Sequence, residues 1–144
     1  MFSDLYDLPD NLLKEFYSTK NNTSEKFVCS TMIGYCGRVY RIYIKTELDD
    51  KSEVGFTDYQ QAKIYLKFLD MNIVIKTLIH ELTHAWMFEN GHNQSERTFN
   101  HEDVCEICAC SYEFIYDTLK QFYENLFNSC IKDKQVCKHG KLEE

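Results

Sequence analysis

Residues 62–91, AKIYLKFLDMNIVIKTLIHELTHAWMFENG, contain two hydrophobic periods one after the other. The first is a period of two. Ile64, Leu66 and Phe68 stand against Lys63, Tyr65 and Lys67, the alternation of a half-buried strand. From Asn72 the period lengthens, and the spacing predicts a helix over residues 72–89. At about 100° per residue, Ile75, Leu78, Ile79, Leu82 and Trp86 fall on one side of that helix. His80 and His84 fall roughly opposite. Asn90 and Gly91 supply residues that commonly end a helix.

The same reading extends in both directions. Tyr40, Ile42 and Ile44 alternate with Val39, Arg41, Tyr43 and Lys45 inside a strand-like stretch, residues 26–48. A turn between Gly34 and Gly37 splits that stretch into a hairpin and makes Cys29 and Cys36 possible cross-strand neighbours. Residues 7–20 read as a first helix, with Pro9 near its start and Leu12, Leu13, Phe16 and Tyr17 on one side. Residues 92–99 read as a polar loop. Asn100 can cap a long last helix that runs to about Asn128, ahead of a polar tail over 129–144. The order is helix, strands, then two helices. It predicts a single α+β domain, residues 1–144, with a small three-or-so-stranded sheet packed on the 72–89 helix and the long C-terminal helix.

Composition sets outer limits. The chain has 144 residues, enough for one modest core. Hydrophobic residues make up 44%, which excludes a mainly disordered chain. The formal net charge of −7 argues against gripping nucleic acid as the main task. No run approaches the roughly 18 apolar residues of a membrane span. The acidic start, Asp4 and Asp7, lacks the basic region of a secretory signal, so the expected location is the cytoplasm. Seven Cys, an odd number, fit reduced thiols better than a disulfide framework. Cys105 and Cys108 have the spacing of half a zinc ribbon, but no second pair follows, and their neighbours Val104, Ile107 and Ala109 suggest a packed helix.

His80-Glu81-Leu82-Thr83-His84 is an HExxH motif inside the predicted helix. Two His four residues apart lie one turn apart on one face, so both imidazoles can reach one metal ion, expected to be Zn²⁺. Glu81 sits about 100° round the helix from His80 and can take a proton from a water that the metal activates. Metal ligands are thus expected at His80 and His84, with Glu81 as the catalytic base.

A zinc site that keeps one place for water needs a third protein ligand. His92, His101, Glu102, Asp103 and Glu106 are available. Glu102 is the choice: it lies 18 residues past His84, in the first turn of the last helix. Glu102, Glu106, Ala109 and Glu113 align on one face, while Val104, Ile107, Cys108, Phe114, Ile115 and Phe122 point away. Glu106 would hydrogen-bond a ligand His at its other ring nitrogen. His101 is the alternative ligand, and a solvated acidic helix face needs no metal at all. For a hydrogen-bond donor to the developing oxyanion, His101, Tyr112 and His92 are candidates.

Leu78 to Trp86, followed after a short loop by Glu102, Glu106 and Ala109, resembles the small zincin metallopeptidases, in particular compact phage- and prophage-encoded peptidases of the ImmA/IrrE-like kind. The likeness covers residues 64–119. It implies a zincin-like fold, a gluzincin-style site of two His and one Glu, and a protein or peptide substrate. A chain of 144 residues has little area for a multi-pocket cleft, which leaves room for a regulator as a further partner that sets specificity. It also implies an edge strand along the cleft, which would be residues 64–68, where an extended substrate could pair by its backbone. The SprT-like peptidases are similar through His80-Glu81-Leu82 and His84-Ala85-Trp86. Their third ligand is a His followed by Gly, whereas His101 here is followed by Glu102. The leading expectation is therefore a zinc-dependent metallopeptidase. Two alternatives stand beside it: a zinc-stabilised protein-binding module with little hydrolysis, and a DNA-associated SprT-like peptidase. Glu81 favours the enzyme, because a purely structural site needs no base.

Overall fold

The computed structural model describes residues 25–34, 37–92 and 98–142, with side chains as far as residue 128. The helix expected over residues 7–20, and Cys36, lie outside the described residues. Among the described residues, four strands and two helices follow in order: β1 Glu25–Ile33, β2 Arg38–Lys45, β3 Gly55–Asp58, β4 Lys63–Lys67, α1 Met71–Glu89 and α2 His101–Leu142. The protein is α+β, as the alternation of periods predicted. The sheet has four strands, and the additional one is β3.

The strands lie in the order β1-β2-β4-β3. β1 and β2 form the antiparallel hairpin expected from Gly34 and Gly37, both with positive φ, closed by Gly37 N–H donating to Gly34 C=O at 3.2 Å. β2 and β4 pair in parallel, and β3 returns antiparallel to β4 on its outer side. β4 is therefore an interior strand. The expectation that residues 64–68 form the edge along the cleft is corrected: β3 is that edge. A four-residue strand with one glycine carries too short an alternation to be read from sequence.

Both helices pack on one face of the sheet. Tyr40, Ile42 and Ile44 of β2, with Ile64 and Leu66 of β4, are fully buried beneath Ile75, Leu78 and Leu82 of α1 and Leu119 and Phe122 of α2. The alternation that marked these residues in sequence is thus the alternation between core and outer face. On the outer face a row of rings crosses the sheet. Phe27 meets Tyr43 edge-on at 5.7 Å, Tyr43 stacks on Tyr65 at 5.6 Å, and Phe56 pairs in register with Tyr65. β1 carries a bulge between Phe27 and Cys29, and Asn125 of α2 donates to the carbonyl of Val28 at 3.0 Å. Burial pushes the Cys29 thiol up to about 12, so it stays protonated.

α1 ends as the Asn90-Gly91 pair predicted. Gly91 has φ 77°, its N–H donates to Phe88 C=O, and His92 N–H donates to Met87 C=O, the two bonds of a Schellman motif. Asn100 caps α2 as expected. Its side-chain oxygen accepts from Asp103 N–H at 2.9 Å, while Asp103 accepts from Asn100 N–H at 3.1 Å. α2 then continues to Leu142, beyond the end expected near Asn128, so the stretch read as a polar tail is helical over 129–142. Among the described residues, no helix is long and apolar enough to cross a membrane.

Candidate metal site and cleft

α1 places its two faces as the helical wheel requires. Leu78 and Leu82 are buried against the sheet, and His80 and His84 are exposed on the other side. The two imidazoles turn toward each other, with Nε2 of His84 3.1 Å from Nε2 of His80 and ring centroids 4.7 Å apart. Zinc–nitrogen bonds of about 2.05 Å at a tetrahedral angle place two such nitrogens about 3.3 Å apart. The pair therefore sits close to the separation that a shared metal ion would set, and the donor set fits zinc.

Glu81 completes the cluster. One ligand atom each from His80, Glu81 and His84 lies within 4.8 Å of the others, and among the described residues this is the one group of three or more such side chains that could hold a metal. Unlike the His pair, Glu81 is buried, with 6% of its surface exposed. Its carboxylate accepts a hydrogen bond from Thr57 Oγ1 at 3.1 Å. That bond crosses from β3 to α1 and fixes the carboxylate beside the imidazoles.

β3 reaches α1 closely because of Gly55. A Cβ built on Gly55 would lie 2.3 Å from the methyl of Thr77 and 3.1 Å from Cγ of Glu81. Any side chain there would push the strand from the helix. Lys67 N–H donates to Val54 C=O at 2.9 Å. In an antiparallel pair the bonded positions alternate, so Phe56 and Asp58 also face β4 and the backbone groups of Gly55 and Thr57 point to the free edge. The two residues nearest Glu81 are thus the two whose backbone groups, among the described residues, are left unpaired on the cleft side.

The resulting cleft has a volume of about 620 Å³. One wall is α1, with Lys76, Thr77, His80, Glu81 and His84. The other runs from Ser52 through β3 to Tyr59. Tyr59 stacks on Phe88 of α1 at 4.4 Å and 20°. Burial and, after it, the charge of Glu81 raise the pKa of its phenol, which keeps the proton on.

The residues expected from α2 are placed elsewhere. Glu102 is exposed in the first turn of α2, outside the cluster, and Glu106 accepts a hydrogen bond from Cys110 Sγ at 3.3 Å. Ala109 and Glu113 are exposed with them. Ile107 and Phe122 do face the core, but Val104 and Cys108 of the same predicted face are exposed. His101 is exposed, His92 stacks on Trp86, and Tyr112 is 61% exposed; none of the three lines the cleft. Gly55, Thr57 and Tyr59 were missed in sequence. β3 is too short, and too interrupted by Gly55, for its alternation to mark the first two, and Tyr59 follows it without a pattern of its own.

Set against protein-family models, curated proteins and solved structures, the chain matches none. What stands is the HExxH group itself, carried on a helix beneath a four-stranded sheet.

Proposed function

We propose that the protein is a zinc-dependent metallopeptidase of zincin-like architecture, acting on a protein or peptide substrate. One observation carries this reading. Two imidazoles stand at metal-sharing distance beside a buried, strand-held carboxylate, at the floor of a cleft bordered by a strand edge that no other described strand covers. A structural metal site needs neither the carboxylate nor the cleft.

In this reading His80 and His84 hold zinc. When bound, the ion would supply Lewis acidity toward a water and a carbonyl. Glu81 accepts a proton from the attacking water and later returns it to the leaving nitrogen. Thr57 keeps the carboxylate on the imidazole side through both transfers. The substrate backbone pairs with the free groups of Gly55 and Thr57, which lays the scissile bond across the His pair. Catalytic zinc sites take three protein ligands, and Glu102 remains the sequence's choice for the third.

The test uses zinc stoichiometry and cleavage of a mixed peptide pool, read by mass spectrometry. His80→Ala and His84→Ala should each lose stoichiometric zinc. Glu81→Gln should keep zinc and lower kcat by about a hundredfold or more. Full cleavage by Glu81→Gln, or zinc unchanged in both His variants, overturns the reading.

A further inference from the structure

Amide hydrolysis places negative charge on the former carbonyl oxygen, and a fixed hydrogen-bond donor aimed at that oxygen accelerates it. The donors suggested by sequence, His92, His101 and Tyr112, lie outside the cleft. Tyr59 lies inside it, on the strand wall opposite His80 and His84.

Tyr59 is held at both ends. Its ring stacks on Phe88, four residues past His84 on the same helix. Its backbone carbonyl accepts from Arg38 Nη2, which also holds the carbonyl of Gln60 at 2.9 Å. Arg38 is tied in turn to Glu89 of α1 at 3.0 Å. The ring is therefore fixed relative to the helix that bears the two imidazoles. Its hydroxyl is left unused: among the described residues it has no hydrogen-bond partner. Tyr40 provides a contrast within the same network, because its hydroxyl is spent on Glu89 at 2.7 Å.

We infer that Tyr59 is a catalytic residue of this site, donating its phenolic O–H as a hydrogen bond to the carbonyl oxygen of the scissile amide. The inference rests on the peptidase reading above. As water attacks, a carbon–oxygen bond forms, the carbonyl π pair moves onto oxygen, and Glu81 takes the water proton. Tyr59 steadies that oxygen without giving up its own proton. The carbon–nitrogen bond then breaks, and the nitrogen receives the proton from Glu81.

Tyr59→Phe keeps the ring and its stack on Phe88 and removes the donor alone. Zinc content and thermal midpoint should stay at wild-type values, KM should hold, and kcat should fall about a hundredfold. A phosphinic pseudopeptide, the tightest binder of a randomised pool on zinc-loaded wild-type protein, mimics the tetrahedral oxygen. Its Kd should rise about tenfold or more in Tyr59→Phe. Incorporation of 3-fluorotyrosine at position 59 should move the alkaline limb of the kcat profile to lower pH, which a purely structural ring would not do. Unchanged kcat and Kd in Tyr59→Phe, with a stationary alkaline limb, overturn the assignment while wild-type cleavage leaves the peptidase reading standing. A wild-type protein that neither cleaves the peptide pool nor binds any pseudopeptide overturns both.

Discussion

The two walls of the cleft differ in how their residues are specified. The α1 wall is dense in local information. His80, Glu81 and His84 lie within five residues, one helical turn brings them together, and the C-terminal end of the helix carries its own stop signal in Asn90 and Gly91. The β3 wall is built from distant pairings. Gly55, Thr57 and Tyr59 face α1 only because β3 pairs with β4, and β4 pairs in parallel with β2. One wall is dictated by the helical period, the other by sheet order, and only the first is written in neighbouring residues.

The sharpest way to break the second wall is at Gly55. A side chain there collides with Thr77 and Glu81. Overpacking of this kind typically costs about 1–3 kcal/mol. Gly55→Val should lower the thermal midpoint and weaken zinc binding as α1 and β3 part. Calorimetry and a competitive zinc titration would show it, and a wild-type midpoint in the variant would mean that the strand does not approach α1 as described.

Thr57→Val is milder and more informative. It keeps the shape and leaves the buried Glu81 carboxylate without its Thr57 bond. Stability should fall by about 1–3 kcal/mol in denaturant titration. Cleavage should drop further than zinc affinity does, because the base is disturbed and the imidazoles are not. Equal losses in both would make Thr57 a general support of α1.

The smallest effect belongs to α2. Asn100→Ala removes the cap and should cost about 1 kcal/mol with zinc affinity unchanged. A large change in zinc affinity on that substitution would tie the start of α2 to the His pair and bring Glu102 back toward the site.

The legibility of the sequence follows the same division. The strands around Tyr40–Ile44 and Ile64–Leu66, the helix bearing HExxH and both of its faces, the Asn90-Gly91 stop and the Asn100 cap could all be read, because each rests on contacts within a few residues. The order β1-β2-β4-β3 could not be read, and with it went the identity of the edge strand. Helical-wheel alignment is what points to Glu102. Alignment shows which residues share a face and is silent about which neighbour that face meets. In the structure the faces of α2 that reach the core carry Ile107, Leu119 and Phe122, and the Glu102 stripe looks outward. Tyr59 had no local signature at all in a chain with ten Tyr.

The close approach of Gly55 to α1 also bears on how the chain avoids folding wrongly. A slip of β3 by one residue against β4 would exchange the two faces of the strand. Phe56 would then be presented to Thr77 and Glu81, where even a methyl group does not fit, and the aromatic row on the opposite face would lose its last ring. The shifted pairing is rejected from both sides of the sheet at once. A glycine that first reads as a gap in a short strand thus acts as a proofreading step for the register on which the whole cleft depends.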